Sequence, residues 1–576
     1  MAEPIDAPPA APPAAVSPPG PAAPAAPLKP GRPVGRRKWL YRLAAATLIP
    51  LVLFGLLEGG LRVGGYGRDT HFLLDGSKLE RPGTVIDNRH FGQWVFPRGY
   101  EKTPFPVPVV METEKKPGTF RVFVLGESAA MGFPEPSASF ARVLEVLLQA
   151  RYPDTRIEVV NAAMVAINSH IVLPVARECA GYKPDLFVVH LGNNEVVGPY
   201  GAAGVLGPFS PSRRFIQGNL AVRRTRTGQL LASIVQGAKG DGGAPKSWGG
   251  MAMFVDAQVP ADDPRLQRIY DHFRDNLTDI CKVAAGAGVP VAVCTIPVNL
   301  KESAPFASAH RSGLSPEQTA AWDALFAEGV RLEAEGKHAA AADRYFEAEK
   351  IDDRFADLEY RIGRCIVALG RAGEARERFG RARDLDALRF RTDAAINETV
   401  REVVAAQTGR GALLADAERA FDAASPAGGP GENLFLEHVH MNFAGNYLLA
   451  RTVFESVAPA LDGKLKAGAR TDPLTEAECA ERLGYTHWNE SKIVAQVVSD
   501  LFRQAPFTAQ SDRAERAARW DVRLRALRAK LGPDDLRQVG AALAGAVAAR
   551  EDDWMLRMNY AQLLTERDDH AGAADQ

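Results

Sequence analysis

The chain has 576 residues, of which 46% are apolar and 24% charged, more than one hydrophobic core serves, so several structural units are expected. Its 69 basic and 70 acidic side chains leave a formal net charge of -1, which gives no field to draw a polyanion and excludes nucleic acid as an expected partner. Five scattered cysteines (Cys179, Cys281, Cys294, Cys365, Cys479) form no CxxC and no Cys/His cluster, so no metal site is expected; one disulfide stays open, with at least one thiol left free.

Residues 1–38 are dominated by Pro and Ala and end in the basic cluster Arg32, Arg36, Arg37 and Lys38, which predicts a disordered, semi-extended tail. Residues 39–63 read as a transmembrane anchor. The uncharged run 43–57 is short of the roughly 20 residues that cross a bilayer. It reaches that length if Trp39, Leu40 and Tyr41 sit at the interface and Arg42 snorkels. Pro50 is tolerable in such a helix. A cleaved signal or a buried helix are the alternatives, yet Glu58, Gly59 and Gly60 follow Leu57 where a small-residue cleavage site would stand. Basic residues on the N-terminal side predict a cytoplasmic tail and an extracytoplasmic body, periplasmic or at the cell surface. Residues 64–117 are taken as a connecting segment.

From residue 118 to 314 short apolar runs alternate with amphipathic stretches. Strands are expected at 120–125 (FRVFVL), 157–160, 186–191 (LFVVHL) and 289–296, and helices at 140–150, 171–180 and 277–285. The alternation predicts an α/β fold, a parallel sheet flanked by helices on both faces. Ligands of such sheets bind beyond the C-terminal strand ends, where Ser128, the loop 161–168 and Asn194 fall. Residues 202–260, rich in Gly, Arg and Ser, are expected to form a long loop over the site.

Residues 315–388 carry an internal period of 34. Gly329 matches Gly363, Leu332 matches Ile366, Gly336 matches Gly370, Ala341 matches Ala375, Tyr345 matches Phe379 and Ala348 matches Ala382. Length and positions resemble the tetratricopeptide repeat, which implies an inserted all-α hairpin pair and a possible protein partner. Two repeats are fewer than the three or so that stand alone, so these should lean on the body into which they are inserted. Just after them, Arg389 and Arg391 read as a solvated helix face, with contact to an anionic substrate as the alternative. Residues 389–462 complete the α/β body, and 463–576 are helical in character. The last stretch fits the first part of another repeat, with Ala561, Leu564 and Ala573 in register, and stops inside its second helix. Its apolar face should be covered by something else unless the chain is truncated there.

Four short segments carry the chemistry. VFVLGESAAMG runs a strand into Ser128, whose hydroxyl would stand at the sheet edge; the bland reading is a helix N-cap serine. VVNAAMVAINSH spans 159–170. LGNNEVVG places Asn194 after a buried strand, where its amide can donate to an oxyanion; Asn193 and Asn194 could equally form a plain turn. In FLEHVHMNFAGNYLLA, Glu437 precedes His440 by three residues and can reach Nδ1, leaving Nε2 to take a serine proton.

Order and spacing of the four resemble the SGNH (GDSL-like) hydrolase family, over roughly residues 118–310 and 389–460. The resemblance implies a flavodoxin-like sheet with Ser128 as nucleophile, His440 as base, Glu437 as its orienting acid and Asn194 as oxyanion donor. Ala166 aligns with the family's second-block glycine, whose backbone N–H serves the oxyanion. Glu127 stands where the family has Asp, Glu437 is one methylene longer than the usual acid, and His438 competes with His440. With GPYG at 198–201 and the inserted repeats, the chain also looks like membrane-anchored bacterial members of undefined substrate.

The function so implied is serine-dependent hydrolysis of a carboxylic ester with no cofactor, on a small molecule or on an O-acylated cell-envelope glycan. An O-acyltransferase on the same fold and a non-catalytic scaffold for protein–protein interaction are the alternatives.

Overall fold

The computed structural model describes residues 36–96, 103–204, 211–239, 248–425 and 428–576. It divides into two units, 1–64 and 65–576. In the first unit, residues 1–35 of the expected tail lie outside the described residues. The rest is one helix, Arg36–Val63, whose segment Lys38–Val63 is long and apolar enough to cross a membrane. Its large side chains, Trp39, Leu48, Leu51 and Leu56 among them, are exposed rather than packed in a core.

The second unit opens with a small antiparallel sheet of β1 (Leu73–Asp75), β2 (Thr84–Asp87) and β3 (Val110–Glu112). Residues 64–117 are thus more than a connector: Phe72, Trp94 and Phe96 are buried in the core they share with the main sheet. That main sheet has five parallel strands, β4 (Thr119–Gly126), β5 (Arg156–Asn161), β6 (Leu186–His190), β7 (Val291–Cys294) and β8 (Ala412–Ala415). The order is β5-β4-β6-β7-β8, so the chain reverses direction of travel across the sheet between β4 and β6. Open parallel sheets bind ligands at such a switch point.

Successive strand residues point to opposite faces, and both faces are covered. Phe123, Leu125, Phe187, Val189, Val291 and Val293 join one core with helices Ser169–Cys179, Arg265–Gly286 and Ala394–Gln407. Val122, Val124, Leu186, Val188, Ala292 and Cys294 join the other with helices Phe140–Arg151 and Phe443–Leu461. This is the mixed α/β layering that the apolar runs imply. The five cysteines are all free and buried.

Between β7 and β8 the chain forms two helix pairs, Pro316–Ala334 with His338–Glu349 and Ala356–Ala368 with Ala372–Leu385. The 34-residue period has a packing cause. A Cβ on Gly329 would stand 2.3 Å from Tyr345 Cε1, and one on Gly363 would stand 2.7 Å from Phe379 Cε1. Each glycine therefore seats the aromatic ring of its own partner helix. Trp322, Tyr345, Ile362 and Phe379 continue into the core of the sheet, so the pairs do lean on the α/β body.

Two expectations are corrected. The described parts of 202–260 are mostly helical, Arg213–Arg224 and Arg226–Lys239 followed by a 3-10 turn at Gly250–Phe254, rather than one long loop. Residues 205–210 and 240–247 lie outside the described residues. Ile216 and Leu220, four residues apart, bury one stripe of the first of these helices, a period hidden among the arginines. Arg389 and Arg391 are buried and form neither a solvated face nor an anion site. Arg389 pairs with Asp393 at 3.2 Å and donates to the Val259 carbonyl. Arg391 pairs with Asp386 at 3.1 Å and donates to the carbonyls of Asn299 and Ser303. Carboxylates and carbonyls offset the burial of both guanidiniums, which fasten the segment after the helix pairs to the body.

Candidate active site

Strand β4 ends at Gly126, and a Cβ there would stand 2.1 Å from the His190 carbonyl oxygen of the neighbouring strand. Only glycine lets β4 and β6 close to this distance. Ser128 then opens the one-turn helix Ser128–Met131, and its carbonyl accepts the N–H groups of Gly132 and Phe133 at 3.1 and 3.0 Å. Asn161, at the end of β5, holds that turn from the side. Its amide donates to the carbonyls of Ala130 and Met131, and its oxygen accepts the N–H of Ala163. The second segment thereby braces the first.

Five residues on, Ala166 has φ +60°, the left-handed region that costs a residue with a Cβ about 1–2 kcal/mol. Such a conformation persists only where its surroundings impose it, and it marks the position as one where glycine would be the relaxed choice.

After β6 the two asparagines diverge. Asn193 turns away from the cavity, and its Oδ1 accepts the backbone N–H and hydroxyl of Thr392 at 3.1 and 2.9 Å. Asn194 lines the cavity and spends one amide hydrogen on the Ile167 carbonyl at 3.1 Å, which leaves the second hydrogen to give. Behind this turn lies Glu127, fully buried, accepting the N–H of Asn193 at 2.9 Å and of Asn194 at 3.3 Å. Burial, then repulsion from Glu195, pushes its carboxyl well above the usual range. Glu195 accepts the N–H and hydroxyl of Ser169, both at 2.8 Å, and burial pushes it up to about 7. This carboxyl pair was not foreseen as a unit. Glu195 stands next to Asn194 in the sequence, but nothing there shows that it is buried.

The fourth segment folds back on itself through a bridge between Phe435 and Met441 and a bond from the Leu436 N–H to the His440 carbonyl at 2.8 Å. The fold-back gathers two imidazoles around one buried carboxylate. Glu437 accepts the backbone N–H of His438 at 2.9 Å and of His440 at 2.6 Å. Its Oε2 also bonds Nδ1 of His438. Nδ1 of His440 lies 2.5 Å from Oε1, and Nε2 of His440 has no hydrogen-bond partner among the described residues. Burial pushes His440 down to about 3 and holds His438 well below its usual range, so both rings are neutral near neutral pH.

Ser128, Ala166, Asn194 and His440 line one cavity of about 400 Å³ at the switch point, with Glu437 behind the imidazole. His440 is the imidazole beside the serine turn, its ring 4.7 Å from that of Phe133, whose N–H donates to Ser128. His438 also lines the cavity, packed edge-on against Phe306 at 5.1 Å and Phe507 at 5.5 Å. Trp248, Met251 and Phe254, from the stretch expected over the site, also line the cavity, together with Phe105, Phe390 and Leu501, which the sequence did not single out. Among the described residues, no group of three or more His, Cys, Asp or Glu is placed to hold a metal ion.

No family model matches the chain, and no curated protein matches it. Among solved structures it is similar to LAE5, an alpha/beta hydrolase enzyme from the metagenome of Lake Arreo, Spain. The match is at 12% identity over 59% of this chain and 95% of that one, with a TM-score of 0.27, too loose a superposition to bear on fold or chemistry.

Proposed function

We propose that this chain is a serine ester hydrolase of the SGNH type, held to a membrane by the helix Lys38–Val63 with its α/β body outside the cytoplasm. One observation carries the chemistry. Four segments far apart in sequence bring a serine, an imidazole backed by a carboxylate with its Nε2 free, an amide hydrogen and a left-handed Ala166 to a single cavity. A body that served only as a scaffold would have no use for gathering a serine, a carboxylate-backed imidazole and an amide donor at one cavity.

In the proposed reaction, Oγ of Ser128 attacks the ester carbonyl carbon and passes its proton to Nε2 of His440. Glu437 stabilises the imidazolium that forms. The carbonyl oxygen takes the displaced electron pair and is held by the N–H groups of Ser128 and Ala166 and by the amide of Asn194. The carbon–alkoxy bond then breaks, the leaving alkoxide takes the proton from His440, and an acyl-serine remains. Water repeats the sequence, giving its proton to His440, which returns it to Ser128 as the acid departs. The paired helices, spaced like tetratricopeptide repeats, would offer a protein partner a docking face.

Turnover of p-nitrophenyl esters by single variants tests the assignment. Ser128→Ala and His440→Ala are expected to lose about a thousandfold or more in kcat, and His438→Ala about tenfold or less. Loss with His438→Ala but not with His440→Ala would move the base role to His438. Full activity in Ser128→Ala would end the proposal. An acylated product with an added sugar acceptor, in place of free acid, would reassign the second half-reaction to acyl transfer.

A further inference from the structure

We infer that the substrate at this site is an apolar ester with a medium-length aliphatic or an aryl body, and not an acetylated sugar; the inference rests on the reading of Ser128 as nucleophile. Among the described residues, no Asp, Glu, Lys or Arg lines the cavity. Its walls are rings and aliphatic chains, chiefly Phe105, Phe133, Val197, Trp248, Met251 and Phe254. Among the described residues, the polar lining consists of the groups assigned to the reaction together with Thr103 and His438.

The aromatic wall is interlocked. Phe254 meets Phe390 edge-on at 5.7 Å and Trp248 at 6.1 Å, and Trp248 in turn leans on Phe96 at 4.8 Å. These rings support one another, so the apolar surface is fixed before any ligand enters. A sugar would bring several hydroxyls into this enclosure, and each hydroxyl stripped of water without a partner lowers binding by about tenfold or more. An alkyl chain loses nothing there and gains about fourfold for each methylene taken from water. Size sets the upper limit. At about 30 Å³ for each water-sized space, 400 Å³ accommodates roughly a dozen non-hydrogen atoms. That is the acyl half of an ester, a chain of about six to eight carbons with its ester linkage, the alcohol part lying at the open side of the cavity.

The test is a chain-length series of p-nitrophenyl esters, acetate to dodecanoate, with 6-O-acetylglucose, whose other hydroxyls are free, alongside, on the 576-residue chain, its Ser128→Ala variant, and Met251→Trp and Met251→Ala. The expected kcat/KM rises about fourfold per methylene from acetate, peaks near hexanoate or octanoate, and exceeds that of the acetylated sugar by at least a hundredfold. Met251→Trp should move the peak about two carbons shorter, and Met251→Ala should move it longer. If either variant fails to fold, the other and the wild-type series still decide. Ser128-dependent turnover that is fastest on acetate or on the acetylated sugar overturns this inference and leaves the nucleophile in place. No Ser128-dependent turnover on any ester overturns the nucleophile, and the inference with it.

Discussion

The paired helices between residues 316 and 385 and the turns at the C-terminal ends of the strands treat their buried residues in opposite ways. In the helices, Gly329 and Gly363 receive Tyr345 and Phe379 in the same manner one period apart, and the Tyr345 hydroxyl donates to Glu333 at 2.8 Å. Ring, glycine and hydrogen bond all agree with local helix geometry. At the strand ends an alanine sits at φ +60°, His440 is buried with no hydrogen-bond partner for Nε2 among the described residues, and Glu127 and Glu195 are buried within each other's field. Each of these departs from what stability alone would select. Consistent local choices mark the part that holds shape, and clustered violations mark the part proposed to do chemistry.

That contrast can be broken at several points. The largest effect is expected at the strand ends. Asn194→Ala should lower kcat by about a hundred- to a thousandfold, as loss of one oxyanion donor does, with stability changed by less than about 1 kcal/mol. Steady-state kinetics and denaturant melts on the same sample check it. In the helices the order should reverse. Gly329→Ala pushes a methyl into Tyr345 and should cost about 1–3 kcal/mol while the folded protein keeps its kcat. Gly545→Ala, in helix Pro533–Ala549 with nothing within 4 Å of the new methyl, should instead gain up to about 1 kcal/mol.

The buried carboxyls add a pH signature of defined sign. The Glu195 carboxyl is raised to about 7 in the fold from 4.5, so its stabilising share is complete below pH 4.5 and is lost as pH rises through 7. His440 and His170 (each lowered to about 3) and His190 (lowered to about 4) act oppositely, with stability complete above pH 6.5 and falling as pH drops toward 3–4. Glu195→Gln should therefore flatten the decline between pH 4.5 and 7, by about 1–3 kcal/mol, and leave the acid limb unchanged. Unfolding curves at half-unit pH steps measure both limbs. The smallest effect is expected at Ala166. Ala166→Gly should stabilise by up to about 1 kcal/mol, the reverse of the usual cost of glycine, because it relieves the left-handed backbone.

Much of the α/β body was legible because buried parallel strands are near-continuous apolar runs: residues 120–125 and 186–191 lie within or one residue beyond β4 and β6. Edge strand β8 was not, since ALLA is four residues with half its side chains outward and offers no run to detect. The small sheet at 73–112 escaped for the same reason, its strands being three or four residues each. Arg389 and Arg391 misled because a buried guanidinium is indistinguishable from a solvated one until its carboxylate is found in space. The candidate site divides along the same line. Ser128, Asn194, Glu437 and His440 follow strand ends or open a helix in a recognisable order, whereas Trp248, Phe254, Phe390 and Leu501 meet only in the tertiary fold. Glu437 contacts both His438 and His440, so the competition that spacing leaves between them stays for the variants to decide.

A fluorophosphonate probe, which reacts only with an activated serine, tests the central claim most directly. The account predicts one adduct per chain, on the peptide containing Ser128, and none on Ser128→Ala. Equal labelling of the two proteins would contradict it.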